Sequence, residues 1–166
     1  MSEKTYLSDT YIEKKIKQYF KTHLSQYCVG DDAWSIMWSP NMAFERPDDL
    51  YWLDMAFNSN PPTQREIGTY GRNAWNGYLQ IGICVPLNET SLIDEDAENE
   101  DDNDIPVFGN SSMDKCFNDI ARVFRRGVIF DGIRIVKCCR YTSALQIYDD
   151  FCRLPVRIFW QADLSN

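Results

Sequence analysis

Residues 74–87 read AWNGYLQIGICVPL, and their alternation decides the fold. Taken with a period of two, Trp75, Gly77, Leu79, Ile81, Ile83 and Val85 fall on one side. Asn76, Tyr78, Gln80, Gly82 and Cys84 fall on the other. Successive side chains of a strand point to opposite faces, so this is a strand with one face in a core and one more polar. It is long beside the usual strand of about five or six residues. Such a strand needs a neighbour on each side and an apolar cover over its inner face.

The flanking sequence supplies both. Upstream, residues 50–58 alternate as a strand, with Tyr51, Leu53, Met55 and Phe57 against Trp52, Asp54 and Ala56. Residues 33–38 give a shorter strand, with Trp34, Ile36 and Trp38 on one side, before a segment bracketed by Pro40 and Pro47. Downstream, residues 151–161 place Leu154, Val156, Ile158 and Trp160 on one face and Arg153, Pro155, Arg157, Phe159 and Gln161 on the other. Proline cannot donate to a ladder, so Pro155 suggests an edge strand or an N–H position facing outward. Residues 133–141 make a further strand, although the spacing of Arg134 and Lys137 breaks its alternation.

Two amphipathic helices supply the cover. Over residues 8–26, Ile12, Ile16, Tyr19, Phe20, His23 and Leu24 share one face, and Thr10 with Glu13 has capping-box spacing. His23 reads as a packed residue on the apolar flank. The second helix is capped by Ser111 or Ser112 and carries Met113, Phe117, Ile120, Ala121 and Phe124 at helical spacing. It ends at Arg125, Arg126 and Gly127, with cations at the negative end of the dipole and a glycine just beyond. The expected fold is α+β: two helices packed on the Leu79/Ile81/Ile83 and Val156/Ile158/Trp160 face of a mixed, mainly antiparallel sheet of about five strands.

Two segments stand apart. Residues 58–73, with Pro61, Pro62, Gly68 and Gly71, are too long for a tight turn. They read as a hairpin arm whose contact residues are Arg65, Tyr70 and Arg72. Residues 88–106 form an acidic insert. Within it, Asp94, Glu95, Asp96, Glu98, Glu100, Asp101, Asp102 and Asp104 stand without a Lys or Arg between them. Such a run cannot build a core and should be solvated. It accounts for the whole net charge of −8, which leaves the rest neutral and without the basic stripe of a nucleic-acid reader.

The length of 166 residues suits one domain spanning 1–166. No run of apolar residues is long enough for a membrane span, and the charged start MSEKTYLSD has no apolar signal core, so synthesis in the cytoplasm with reduced thiols is expected. The six cysteines (28, 84, 116, 138, 139 and 152) lack zinc-ligand spacing and read as small hydrophobes. Cys138 and Cys139 should point to opposite faces. No glycine interrupts 94–104 as a dedicated calcium loop requires. There is no phosphate loop, GxSxG or HExxH, and a Cys–His nucleophile would have to use His23. The chain thus reads as a non-enzyme, with no catalytic residues, no metal and no cofactor.

The order of segments resembles the tail-terminator-like proteins of long-tailed bacteriophages, the family of the phage lambda minor tail protein U. The resemblance rests on the N-terminal amphipathic helix, WSIMWSPNMAFERP, YWLDMAF, the arm leading into GTYGRNAWNGYLQIGICVP, KCFNDIARVFRRG and RLPVRIFWQA. It covers most of the chain, although the acidic insert is longer than such a family accounts for. It implies helices against a mixed sheet and a ring of six copies at the head-proximal end of the tail tube. That ring ends tube polymerisation and meets the head–tail connector. The implied partners are therefore further copies of the chain, the tail tube protein and the connector or neck protein. DNA would be passing cargo, with no membrane involved. The implied place is the virion, assembled in the host cytoplasm. Arg65, Tyr70, Arg72, Arg153 and Arg157 are the candidate oligomer or tube contacts, and the acidic run would face the lumen or solvent. Another neck or tail-completion role and an acidic DNA mimic are the alternatives. The mimic needs carboxylates spread over a rigid surface, and here they sit in one segment.

Overall fold

A computed structural model describes residues 9–31, 33–39, 51–61, 63–64, 73–86, 112–141 and 144–164. Two helices, α1 (Asp9–His23) and α2 (Ser112–Val123), accompany strands β1 (Ser35–Ser39), β2 (Trp52–Ser59), β3 (Thr63–Gln64), β4 (Asn73–Pro86), β5 (Ile129–Phe130), β6 (Ile133–Arg140), β7 (Gln146–Ile147) and β8 (Phe151–Leu164). A 3₁₀ turn, Ser25–Tyr27, follows α1. The architecture is α+β, as expected.

The strands form one sheet in the order β1-β2-β4-β8-β6-β5, with β3 beside β4 and β7 beside β8. Only β1 and β2 run parallel among the described pairs. The expectation of about five strands missed β3, β5 and β7, each two residues long. The stretch that opened the reading is the spine: β4 pairs with β8 over its whole length, from Asn73↔Leu164 to Pro86↔Phe151.

That register stacks Leu79 on Ile158, Ile81 on Val156 and Ile83 on Leu154, with Phe57, Met55 and Leu53 of β2 beyond. These side chains share one core with Ile12, Ile16, Phe20 and Leu24 on the α1 side and Met113, Cys116, Ile120 and Phe124 on the α2 side. Both helices therefore lie on one face. Phe20 and Phe124 stack at 6.2 Å where the helices meet. Trp160 lies over Gly77, where an added Cβ would strike Asn58 O and the indole, and its ring stacks on Phe57 at 5.3 Å.

Several expectations need correction. Thr10 does not cap α1, because the helix already begins at Asp9. His23 is exposed at the end of α1 and touches only the edge of the core through the Tyr19 ring at 4.2 Å. In α2 Cys116 is buried along with Met113 and Ile120, while Phe117 is half-buried under the Arg140 guanidinium at 5.1 Å. β8 is not an edge strand: β4 flanks it on one side and β6 and β7 on the other. Pro155 is tolerated there for a geometric reason. Its carbonyl accepts from Tyr141 N at 2.9 Å, just where β6 has ended. N and O of one strand residue point the same way. The missing N–H thus faces that end and not β4.

The broken alternation of residues 133–141 also has a cause. A bulge between Ile135 and Lys137 inserts Val136, so Arg134 and Lys137 pair with Gln161 and Phe159 on the same face. Asp131 and Gly132, with φ of 46° and 78°, form the tight turn between β5 and β6. Tyr19 stacks on Phe130 at 3.9 Å and Lys15 meets Asp131 at 3.4 Å, which ties this hairpin to α1.

Candidate interaction surface

Neither helix packs on the second face of the sheet. The register lays its side chains out in rows. One row runs Lys137, Phe159, Tyr78, Asn58, and the next runs Cys139, Arg157, Gln80, Ala56. Beyond these lie Pro155, Gly82 and Asp54, then Arg153, Cys84 and Trp52.

The two ends of this face differ. At one end Trp52 and Cys84 are buried, and the Trp52, Phe151 and Tyr148 rings pack in sequence at 4.7 and 4.3 Å. Arg153 is fixed there by two bonds to Asp54, Nε–Oδ2 at 2.6 Å and Nη2–Oδ1 at 2.8 Å, and by Nη1 to Gln146 Oε1 at 3.1 Å. This bidentate pairing holds the Arg153 proton more tightly than usual. Gly82 lies beneath the pair, and any Cβ there would collide with Arg153 Nε and Asp54 Oδ2. Glycine is what lets the ion pair lie across the sheet.

At the other end the cations are held by rings. The Arg157 guanidinium lies 4.9 Å from the Tyr78 ring centre and 5.1 Å from that of Tyr141. Its Nε donates to Gln80 Oε1 at 3.1 Å. Lys137 Nζ lies 4.5 Å over the Phe159 ring. Among the described residues neither Arg157 nor Lys137 has a carboxylate partner. Tyr78, Gln80, Arg157 and Phe159 are half-buried, and Lys137 is exposed.

Of the residues singled out from sequence, Arg153 and Arg157 thus share one face but have different settings. Arg153 is neutralised by Asp54, whereas Arg157 is oriented yet unneutralised among the described residues. Arg65, Tyr70 and Arg72 lie outside the described residues, as do Asp94, Glu95, Asp96, Glu98, Glu100, Asp101, Asp102 and Asp104. Tyr78, Gln80, Lys137 and Tyr141 were missed as members of the site. Their alternation showed that Tyr78 and Gln80 share a polar face, but only the inter-strand register brings them beside Arg157.

The thiols sit mostly in apolar settings. Cys84, Cys116 and Cys152 are buried, and Cys28, Cys138 and Cys139 half-buried. Cys138 packs at the core rim, and burial pushes its thiol up to about 12. Cys139 points to the opposite face and donates to Tyr141 Oη. On the helix side Tyr27 Oη donates to Asp119 Oδ2 at 2.7 Å, and burial together with that bond raises its pKa. Among the described residues no cluster of three or more metal-ligating side chains occurs, and no helix is long and apolar enough to cross a membrane.

No family model matches this chain, and no curated protein sequence matches it. Nine chains of solved structure match. One of them aligns over 93% of this chain and 97% of its own length, with a TM-score of 0.59 and 14% identity. At that identity the likeness is one of fold alone.

Proposed function

We propose that this chain is a structural protein of a phage tail: a ring-forming, terminator-like component at the head-proximal end of the tube. The ring, six copies in this reading, ends tube polymerisation and joins the tail to the head connector. The order of segments along the sequence and a sheet with both helices on one face agree with this reading.

The observation that carries it is the prolonged hairpin. Beyond the end of β2, Asn60 N still bonds Asn76 O at 2.9 Å, and β3 pairs Thr63 with Ala74 and Gln64 with Asn73. The ladder therefore follows β4 to its end, level with the Asn73↔Leu164 pair of β8, and residues 65–72, with Arg65, Tyr70 and Arg72, connect its last pair. A cyclic ring needs a heterologous contact, in which one patch of each copy meets a different patch of the next. An arm based on a ladder gives such a contact a rigid origin, and Tyr and Arg are favoured interface anchors.

The test is to replace Arg65, Tyr70 and Arg72 together by Ala. The expected outcome is a folded protein, since the core of the described residues is built without these three side chains, with loss of rings and of tails of defined length. Normal particles from the triple variant would contradict the arm as the assembly element.

A further inference from the structure

We propose that the Arg157–Lys137 end of the sheet face opposite α1 and α2 receives the acidic stretch, residues 94–104, of a second copy of this chain. The inference rests on the ring-forming reading and names the two surfaces that would meet in it.

Arg157 is built to bind an anion and has none among the described residues. Two tyrosine rings flank it, Gln80 takes Nε and the Tyr141 hydroxyl is a neutral partner, so that no carboxylate among the described residues meets the Nη pair. Those two nitrogens form a fork that matches the two oxygens of one carboxylate. Because the side chain is already ordered, binding loses little further rotamer freedom. Lys137 lies one row away and adds a second positive charge. The neighbouring Asp54 cannot serve, because Arg153 already occupies both its oxygens.

The chain itself carries the complement. Residues 94–104 present eight carboxylates with no Lys or Arg among them. Opposed patches of this kind steer association and set its register. A single-stranded nucleic acid fits less well. Base stacking needs open ring faces, and Arg157 and Lys137 already lie over Tyr78 and Phe159.

Sedimentation of the full chain over a range of protein and salt concentrations tests this. Wild-type protein should self-associate, more weakly as salt rises. Arg157→Glu with Lys137→Glu should weaken association at least about tenfold, as should replacement of the eight carboxylates by Lys. Mixing the two variants should restore it, because each then offers the charge that the other lacks. If the face variant fails to fold by circular dichroism, the segment variant decides alone, since it changes only carboxylates and no apolar side chain. A wild-type protein that stays monomeric throughout overturns the proposal. So does association that ignores both charge sets, or a failure of two folded variants to complement, which would place the acidic stretch on its own chain. Tighter, Arg157-dependent binding of a single-stranded oligonucleotide also overturns it. Charge-independent association by a protein found in tails ends this inference and leaves the tail reading standing. Charge-dependent association by a protein absent from particles does the reverse.

Discussion

Leu79, Ile81 and Ile83 lie beneath two helices, while Tyr78 and Gln80, on the same strand and one residue away, meet neither. The first face is apolar and close-packed, and its stability comes from area removed from water. The second is held by a few directed contacts: a carboxylate on a guanidinium, and cations on rings. The two faces should therefore respond to damage in different ways. Truncation should be costly on the covered face. On the other face, what matters is whether a partner is left behind, and changes beyond the sheet should affect assembly and not folding.

The largest effect is therefore expected at Phe124 and Trp160, which are 0% and 1% exposed between helix and sheet. Either one changed to Ala should lose about 3–5 kcal/mol in urea unfolding. A loss below about 1 kcal/mol would mean that the core collapses around the cavity far better than its packing suggests. Next comes Asp54→Ala, which strands Arg153 on the second face. The pair is partly solvated, with side-chain exposures of 16% for Arg153 and 33% for Asp54, so a loss of roughly 1–3 kcal/mol is expected, less than for a fully buried pair. A neutral result would show that Gln146 and water suffice to hold the guanidinium.

High pH should weigh mainly on the covered face, although the bond from Cys139 also raises Tyr141 on the second. Burial raises Cys138 from 9.0 to about 12 and also raises Tyr27, Cys28 and Cys116, all on the helix side or its rim. Each folded-state pKa lies above its unfolded value, so the folded state favours the neutral form. The stabilisation is complete below pH 9 and is lost as pH rises toward 12. Thermal unfolding should fall steadily across that window, and Tyr27→Phe should flatten the decline. A melting temperature constant to pH 12 would contradict the burial of these groups. The smallest effect belongs to residues 94–104. Replacing them with a short Gly/Ser linker should change stability by no more than about 0.5 kcal/mol. A large drop would show that they pack against the fold or bind a cation.

The covered face was legible because burial writes itself into local sequence. The alternation of residues 74–87 and 151–161 and the helical spacing of Ile12, Ile16 and Phe20 each need only their own neighbours to be read. The second face was half-legible. Alternation put Arg153 and Arg157 on it, but whether an arginine meets Asp54 or a tyrosine depends on register, which no single strand encodes. Pro155 misled because its missing donor was weighed without knowing that β6 stops beside it. The β5–β6 hairpin was missed although Asp131–Gly132 is a strong turn signal, since its first strand is only two residues long. Val136 hid the alternation of β6 by bulging out of it.

A terminator-like protein is defined by its place in the particle. Electron cryomicroscopy of assembled particles, at a resolution that distinguishes this fold, tests it most directly. The account predicts a closed ring of this chain between the last ring of the tail tube and the head connector. Intact particles that lack the chain at that junction would contradict it.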